Sequence, residues 1–257
     1  MGLFSKKDKR GQFLHDSAAS GKTLHKNLDF TATEQYKLIR ANLDFTLPPD
    51  LKCPVIGITS SMRGEGKSTT AINLAYVFAE KGSKVLLIDG DLRIPSVAKK
   101  LGIESAPGLA DLLRGKGAQL SEFQSYLLEN WYVLPSGSIP PNPSELLGSN
   151  RMGKLLERLR EMFDYIIIDL PPVNIVSDAI SISGHLSGMI VVIREEYSER
   201  KELEHCFRQL KLTNANILGC VMNGAKEGSA SYGKYKSISV TNTTDITRVI
   251  PRGQRRD

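Results

Sequence analysis

The sequence predicts an α/β fold, a mainly parallel sheet with helices on both faces, of the P-loop NTPase type. Three observations carry that prediction. Apolar runs of strand length alternate with helix-length amphipathic segments, at the spacing of βαβ units. The stretch Val55-Ile-Gly-Ile-Thr-Ser-Ser-Met-Arg-Gly-Glu-Gly-Lys-Ser-Thr-Thr70 passes from a short strand through a glycine-bearing loop into a helix. Two further apolar runs, Lys84-Val-Leu-Leu-Ile-Asp89 and Tyr165-Ile-Ile-Ile-Asp169, end in acid, at the sheet mouth where open α/β folds bind ligands.

Size and composition bound the rest. At 257 residues and 40% hydrophobic content the chain can bury one substantial core, and a single domain is expected. No apolar run approaches the ~20 residues that cross a bilayer, and Met1 to Arg10 holds no apolar signal core, so a cytoplasmic protein is expected. Cys53, Cys206 and Cys220 are too sparse for a disulfide framework, and no paired His spacing suggests zinc. The net charge of +6 sits partly in Lys6, Lys7, Lys9 and Arg10 and in Arg252, Arg255 and Arg256. Such ends are either solvated tails or lean on anionic surfaces; the charge alone names no partner.

In chain order, residues 1–30 are polar and aperiodic and read as a flexible lead-in. Thr31-Ala-Thr-Glu34 looks like a capping box opening a helix from about Thr33 to Phe45, stopped before Pro48-Pro49. Glu34, Lys37 and Arg40 share one side of it, which is a solvated face or a contact surface. After the P-loop helix, which runs through Glu80, and the strand to Asp89, Gly108 to Arg114 reads as a short helix and Trp131 to Pro135 as a strand. A helix from about Ser144 to Phe163 follows, with a break expected at Gly148 or Gly153. Beyond Asp169 come a helix near Asp178 to His185, a strand Gly188 to Ile193, a helix Glu199 to Leu212 and a strand Ile217 to Met222. A single α/β domain thus spans 31–224, and 225–257 reads as a flexible polar tail whose Tyr232 and Tyr235 have no core to bury them.

The chemistry concentrates at the loop. Unpaired amides and the helix dipole make the start of a helix an anion site. Gly64 and Gly66 let the backbone of Arg63, Gly64, Glu65, Gly66, Lys67, Ser68 and Thr69 curl around phosphates. Lys67 can reach the β- and γ-phosphates, and the Ser68 hydroxyl is placed for Mg²⁺. Ser61 stands where the pattern G-x-x-x-x-G-K-[ST] usually has its first Gly. A strand-terminal Asp beside such a loop holds Mg²⁺ through water, which places Asp169 near Ser68. The pair Asp89 and Asp91, at i and i+2 past a strand, suggests metal and proton chemistry.

Taken together, Ser60 to Thr69, Val85-Leu-Leu-Ile-Asp-Gly-Asp-Leu-Arg-Ile-Pro95 and Ile166-Ile-Ile-Asp-Leu-Pro-Pro172 resemble the bacterial tyrosine kinases that act with a membrane polysaccharide co-polymerase in capsule and exopolysaccharide export. Gly108 to Leu113 and Leu134 to Leu147 support the resemblance, which runs from roughly Thr31 to the end. It implies a deviant Walker-type kinase that uses ATP and Mg²⁺, with Asp89 as acceptor of the tyrosine proton, Asp91 in the metal shell and Arg93 steadying the phosphate or the acidic pair.

It also implies a homo-oligomeric ring built on the Glu34, Lys37 and Arg40 helix, with the tail of one subunit phosphorylated at Tyr232 and Tyr235 by the next. Lys37 stands where that family has Arg, and the two are not equivalent at a bidentate contact. The implied partners are a transmembrane activator that recruits the chain to the inner face of the membrane, protein-tyrosine substrates and a counteracting phosphatase, with no nucleic acid. Asn223 either contacts adenine, as the matching position does in related folds, or simply ends its strand. Partition and septum-placement ATPases, the main alternative, keep a lysine five residues before the P-loop lysine; here that position is Met62. A nucleotide-binding scaffold without turnover is the third reading.

Overall fold

A computed structural model of the chain describes residues 27–115, the backbone of 124–125, and 127–225. Tyr232, Tyr235, both charged ends and most of the lead-in lie outside the described residues.

Helix α1 (Phe30–Thr46) opens on Asp29, whose carboxylate accepts from Ala32 N–H at 2.7 Å. The cap thus lies two residues before the expected Thr31 box, because a short acidic side chain there already satisfies the first free amide. Strand β1 (Val55–Ser60) feeds α2 (Lys67–Glu80), and β2 (Val85–Asp89) leads to the short α3 (Val97–Leu101) and α4 (Leu109–Leu113). Strands β3 (Gln124–Ser125) and β4 (Trp131–Leu134) precede α5 (Pro143–Leu147) and α6 (Asn150–Arg160). The helix expected over 144–163 is therefore two helices, broken at Gly148, with the Ser149 hydroxyl accepting from Met152 N–H to start the second. Strand β5 (Tyr165–Asp169), α7 (Asp178–Ile182) with a 3₁₀ turn (Ser183–His185), β6 (Gly188–Arg194), α8 (Arg200–Leu212) and β7 (Ile217–Asn223) complete the order.

The seven strands form one sheet in the order β3-β4-β2-β5-β1-β6-β7. All neighbours are parallel except the two-residue edge strand β3, which runs antiparallel to β4. A buried parallel sheet needs apolar side chains on both faces, which is why its strands read as unbroken apolar runs. Alternation divides those runs. Val85, Leu87, Ile167, Ile56, Ile58 and Val192 pack with Phe78 and Leu74 of α2, whereas Leu86, Ile88, Ile166, Ile168 and Val191 pack with Leu156, Leu159 and Leu210 on the other face. The parity of 85, 87 and 167 carries Asp89 and Asp169 to the α2 face, the side on which the phosphate loop opens.

Helix α1 rests on α2. Leu43 and Leu47 are buried there, and Arg40 Nη1 donates to Val77 O at 2.5 Å. Arg40 therefore does not share the open face expected for it; its guanidinium is turned inward. Glu34 and Lys37 remain near solvent, paired at 3.0 Å.

Candidate functional site

Gly64 and Gly66 have φ of +82° and +99°, left-handed values that a residue with a Cβ adopts only under strain. They turn the loop between β1 and α2 so that the first amides of α2 face the sheet mouth. The site is built where that turn meets the ends of β2 and β5.

Lys67 is the cation of the site, with 12% of its side chain exposed. Its Nζ lies 3.0 Å from Asp91 Oδ2 and 3.6 Å from Asp169 Oδ1. Ser68 Oγ is 3.5 Å from the same ammonium. Burial works against the charge of Lys67, yet Asp169 and Asp91 outweigh it and hold the ammonium above its ordinary range. The structure thus brings Lys67, Ser68, Asp91 and Asp169 together.

Asp169 is fully buried, and neither carboxylate oxygen has a hydrogen-bond partner. Burial pushes its carboxyl up, with Lys67 and the Ser68 hydroxyl opposing. A buried, unsatisfied carboxylate beside a serine hydroxyl suits a divalent cation. Among the described residues no three His, Cys, Asp or Glu side chains converge to cage an ion alone. The donor set fits Mg²⁺, which retains waters and takes phosphate oxygens besides one or two protein ligands.

Asp89 is also fully buried. Its Oδ1 accepts from Asp91 N–H at 3.2 Å, and its Oδ2 from Ser96 and Val97 N–H, each at 3.0 Å. Asp89 so fixes the turn into α3, a helix that the sequence reading missed. Burial, with Asp169 adding to it, raises the Asp89 carboxyl to about 7. A carboxylate offers about four lone-pair sites. Three amides occupy three of them, leaving one on Oδ1.

Three residues make side-chain contacts that the sequence did not announce. The expectation for Glu65 concerned its backbone; its buried carboxylate turns away, accepting from Ser61 Oγ and Met62 N–H, each at 2.7 Å, and from Ser198 Oγ. Only its backbone remains with the loop lining. The guanidinium of Arg93 bonds with neither Asp89 nor Asp91. It donates through Nε to both oxygens of Asp178, at 3.2 and 3.0 Å, and through Nη2 to Asp178 Oδ1 at 3.0 Å and Ser144 Oγ at 3.2 Å. Asp178 is fully buried, and no feature of the sequence pairs it with Arg93. Asn223 does more than end β7: its Nδ2 donates to Glu65 O at 3.0 Å and packs on Gly66, where an added Cβ would meet it at 1.8 Å.

Arg63 and Gly64 reach solvent at the loop tip, and Thr69 is half-buried in the first turn of α2. The carbonyls of Arg63 and Gly64 are taken by Tyr197 OH and Arg194 Nη1, each at 3.0 Å. The thiols of Cys53, Cys206 and Cys220 are pushed up to about 12 by burial and are poor nucleophiles. Among the described residues no helix is long and apolar enough to cross a membrane.

A family model described as "AAA domain" matches residues 53–218. The chain is 40% identical over 204 residues to tyrosine-protein kinase YwqD of Bacillus subtilis, covering 79% of this chain and 86% of that protein. It is 38% identical over 214 residues to tyrosine-protein kinase CpsD of Streptococcus pneumoniae, covering 81% and 92%. The kinase domain of the Escherichia coli tyrosine kinase ETK matches with a TM-score of 0.73 and 30% identity, over 80% of each chain.

Proposed function

The chain belongs to the bacterial tyrosine-kinase family of P-loop proteins, and from that premise we propose that it moves the γ-phosphoryl group of ATP onto tyrosines of its own tail, in trans within an oligomer. The chain is a protein-tyrosine kinase. The acceptors proposed are Tyr232 and Tyr235, and the process served is capsular or exopolysaccharide synthesis and export. A transmembrane activator would bring the chain to the inner face of the membrane, and a phosphatase would reverse the modification. The outer face of α1, with Glu34 and Lys37, is the proposed contact between copies.

The observation that carries this reading is the placement of Lys67 between Asp91 and Asp169, with Ser68 beside it. Phosphoryl transfer asks a protein for positioning and charge neutralisation more than for covalent chemistry. The loop amides and Lys67 would hold the β- and γ-phosphates, Lys67 exchanging its acidic partners for phosphate oxygens. Ser68 would bind Mg²⁺ directly, Asp169 through water and Asp91 at its outer shell, and the ion would supply charge neutralisation at the phosphates. Asp89 would accept the phenolic proton at its one open lone pair. A proton acceptor that titrates near neutral pH is well matched to the task.

Phosphotyrosine mapping by mass spectrometry after incubation with Mg²⁺ and ATP tests the reading. Modified Tyr232 or Tyr235 supports it. ATP hydrolysis stimulated by lipid or DNA, with no phosphotyrosine, would favour a positioning ATPase instead.

A further inference from the structure

The turn between β6 and α8 grips the phosphate loop from outside. Arg194 and Tyr197 hold the carbonyls of Gly64 and Arg63, and Ser198 Oγ meets the Glu65 carboxylate. Arg194 N–H donates to Ser198 Oγ at 2.8 Å. That bond fills an acceptor site on the hydroxyl and leaves its single proton for Glu65. Glu65 Oε1 thus takes Ser198 and Ser61, while Oε2 takes Met62 N–H. The departure from glycine at position 61 acquires a physical role here, since Ser61 Oγ donates to Glu65 and a glycine would have no side-chain donor to do so. On the far side, Asn174 Nδ2 donates to Glu202 O and Oε2, each at 2.8 Å, tying the loop after β5 to the first turn of α8.

We infer that Ser198 is a positioning residue for nucleotide binding, acting through Glu65 to fix the phosphate-loop backbone before ATP arrives. Ser198 touches no reacting atom. It holds the one acidic side chain of the loop turned away from the phosphates, where a freed carboxylate would repel them. An amide array that is already aligned binds phosphate without first being ordered. The inference rests on the reading of this loop as the ATP site.

The test uses the full chain with Mg²⁺ and a fluorescent ATP analogue, comparing wild type, Ser198→Ala, Ser198→Thr, Glu65→Gln and Ser198→Ala/Glu65→Gln. A hydrogen bond to a buried charge is among the stronger kind, so Ser198→Ala should weaken nucleotide affinity about 10-fold or more. At saturating ATP, kcat should stay within about 2-fold of wild type, the mark of lost ground-state binding. Ser198→Thr should restore affinity, and the double variant should bind no more weakly than Glu65→Gln alone. A Ser198→Ala protein with lower Tm but unchanged affinity would overturn the inference, as would independent, multiplicative losses in the double variant. If Glu65→Gln does not fold, the contrast between Ala and Thr at 198 decides alone. Failure of the wild type to bind ATP would instead sink the assignment of the site.

Discussion

Asp89 and Asp169 stand opposite each other across the paired strands β2 and β5, both fully buried and on the face from which Lys67 projects. Burial first, and the neighbouring Asp169 carboxylate second, push the Asp89 carboxyl up to about 7 from the ~3.9 of an unfolded chain. Between about pH 4 and 7 the folded chain therefore keeps a proton that the unfolded chain has released. This group's contribution to stability is full below about pH 4 and lost as pH rises through about 7. Denaturant unfolding of the nucleotide-free chain at pH 5 and pH 8 should show the lower stability at pH 8. Asp89→Asn should flatten that dependence, and in the wild type kcat/KM should climb through neutral pH as Asp89 becomes able to accept a proton.

Lys67→Met should lose phosphoryl transfer by about 100-fold or more, because it removes the charge that meets the transferring group. It also leaves Asp91 and Asp169 without their cation. Its Tm in a chelator should fall below that of wild type and recover when millimolar Mg²⁺ is added. Thermal unfolding in the two buffers, beside a radiolabel transfer assay, checks both halves.

Gly66→Ala should abolish nucleotide binding. Its φ of +99° penalises any Cβ, and the added methyl would sit 1.8 Å from Asn223 Nδ2. Pairing it with Asn223→Ala removes the clash but not the backbone strain, so affinity measured by calorimetry should stay well below wild type.

Arg93→Ala should destabilise the fold by about 1.5–3 kcal/mol, the range for hydrogen bonds to a charged group, because it strands the buried Asp178. A double change to apolar residues, Arg93→Met/Asp178→Leu, should recover much of that loss, since removing both charges leaves none unpaired. Urea midpoints of the two variants compare them directly. Were Arg93 instead steadying the phosphate, the double variant would regain stability yet bind ATP more weakly than wild type.

What was legible in the sequence follows range. The strand ends at Asp89 and Asp169 and the Gly66-Lys67-Ser68 turn are local patterns, each an apolar run or a turn with a fixed chemical consequence, and they converge as expected. A glycine break was readable for the same reason, though the sequence left it at Gly148 or Gly153 and the structure puts it at Gly148. Contacts made across the fold were not. Arg93 reaches Asp178, 85 positions away, and Ser198 reaches Glu65, 133 positions away, through pairings that no spacing rule encodes. The inward bond of Arg40 was not readable because a three-residue spacing fixes a helix side but not what packs on it; α2 lies close enough for its guanidinium to reach Val77 O. Helix α3 was missed because five residues after Pro95 carry too little periodicity, and it is stabilised by Asp89 from outside.

The most direct measurement mixes wild-type chain with a mass-tagged Lys67→Met chain, adds ATP and Mg²⁺, and maps phosphotyrosine on the tagged chain. Phosphate on its Tyr232 or Tyr235 that appears only when wild type is present is the predicted result, and it establishes transfer in trans to the tail. No phosphotyrosine on either chain while ATP is bound, or modification of the tagged chain incubated alone, would contradict the account.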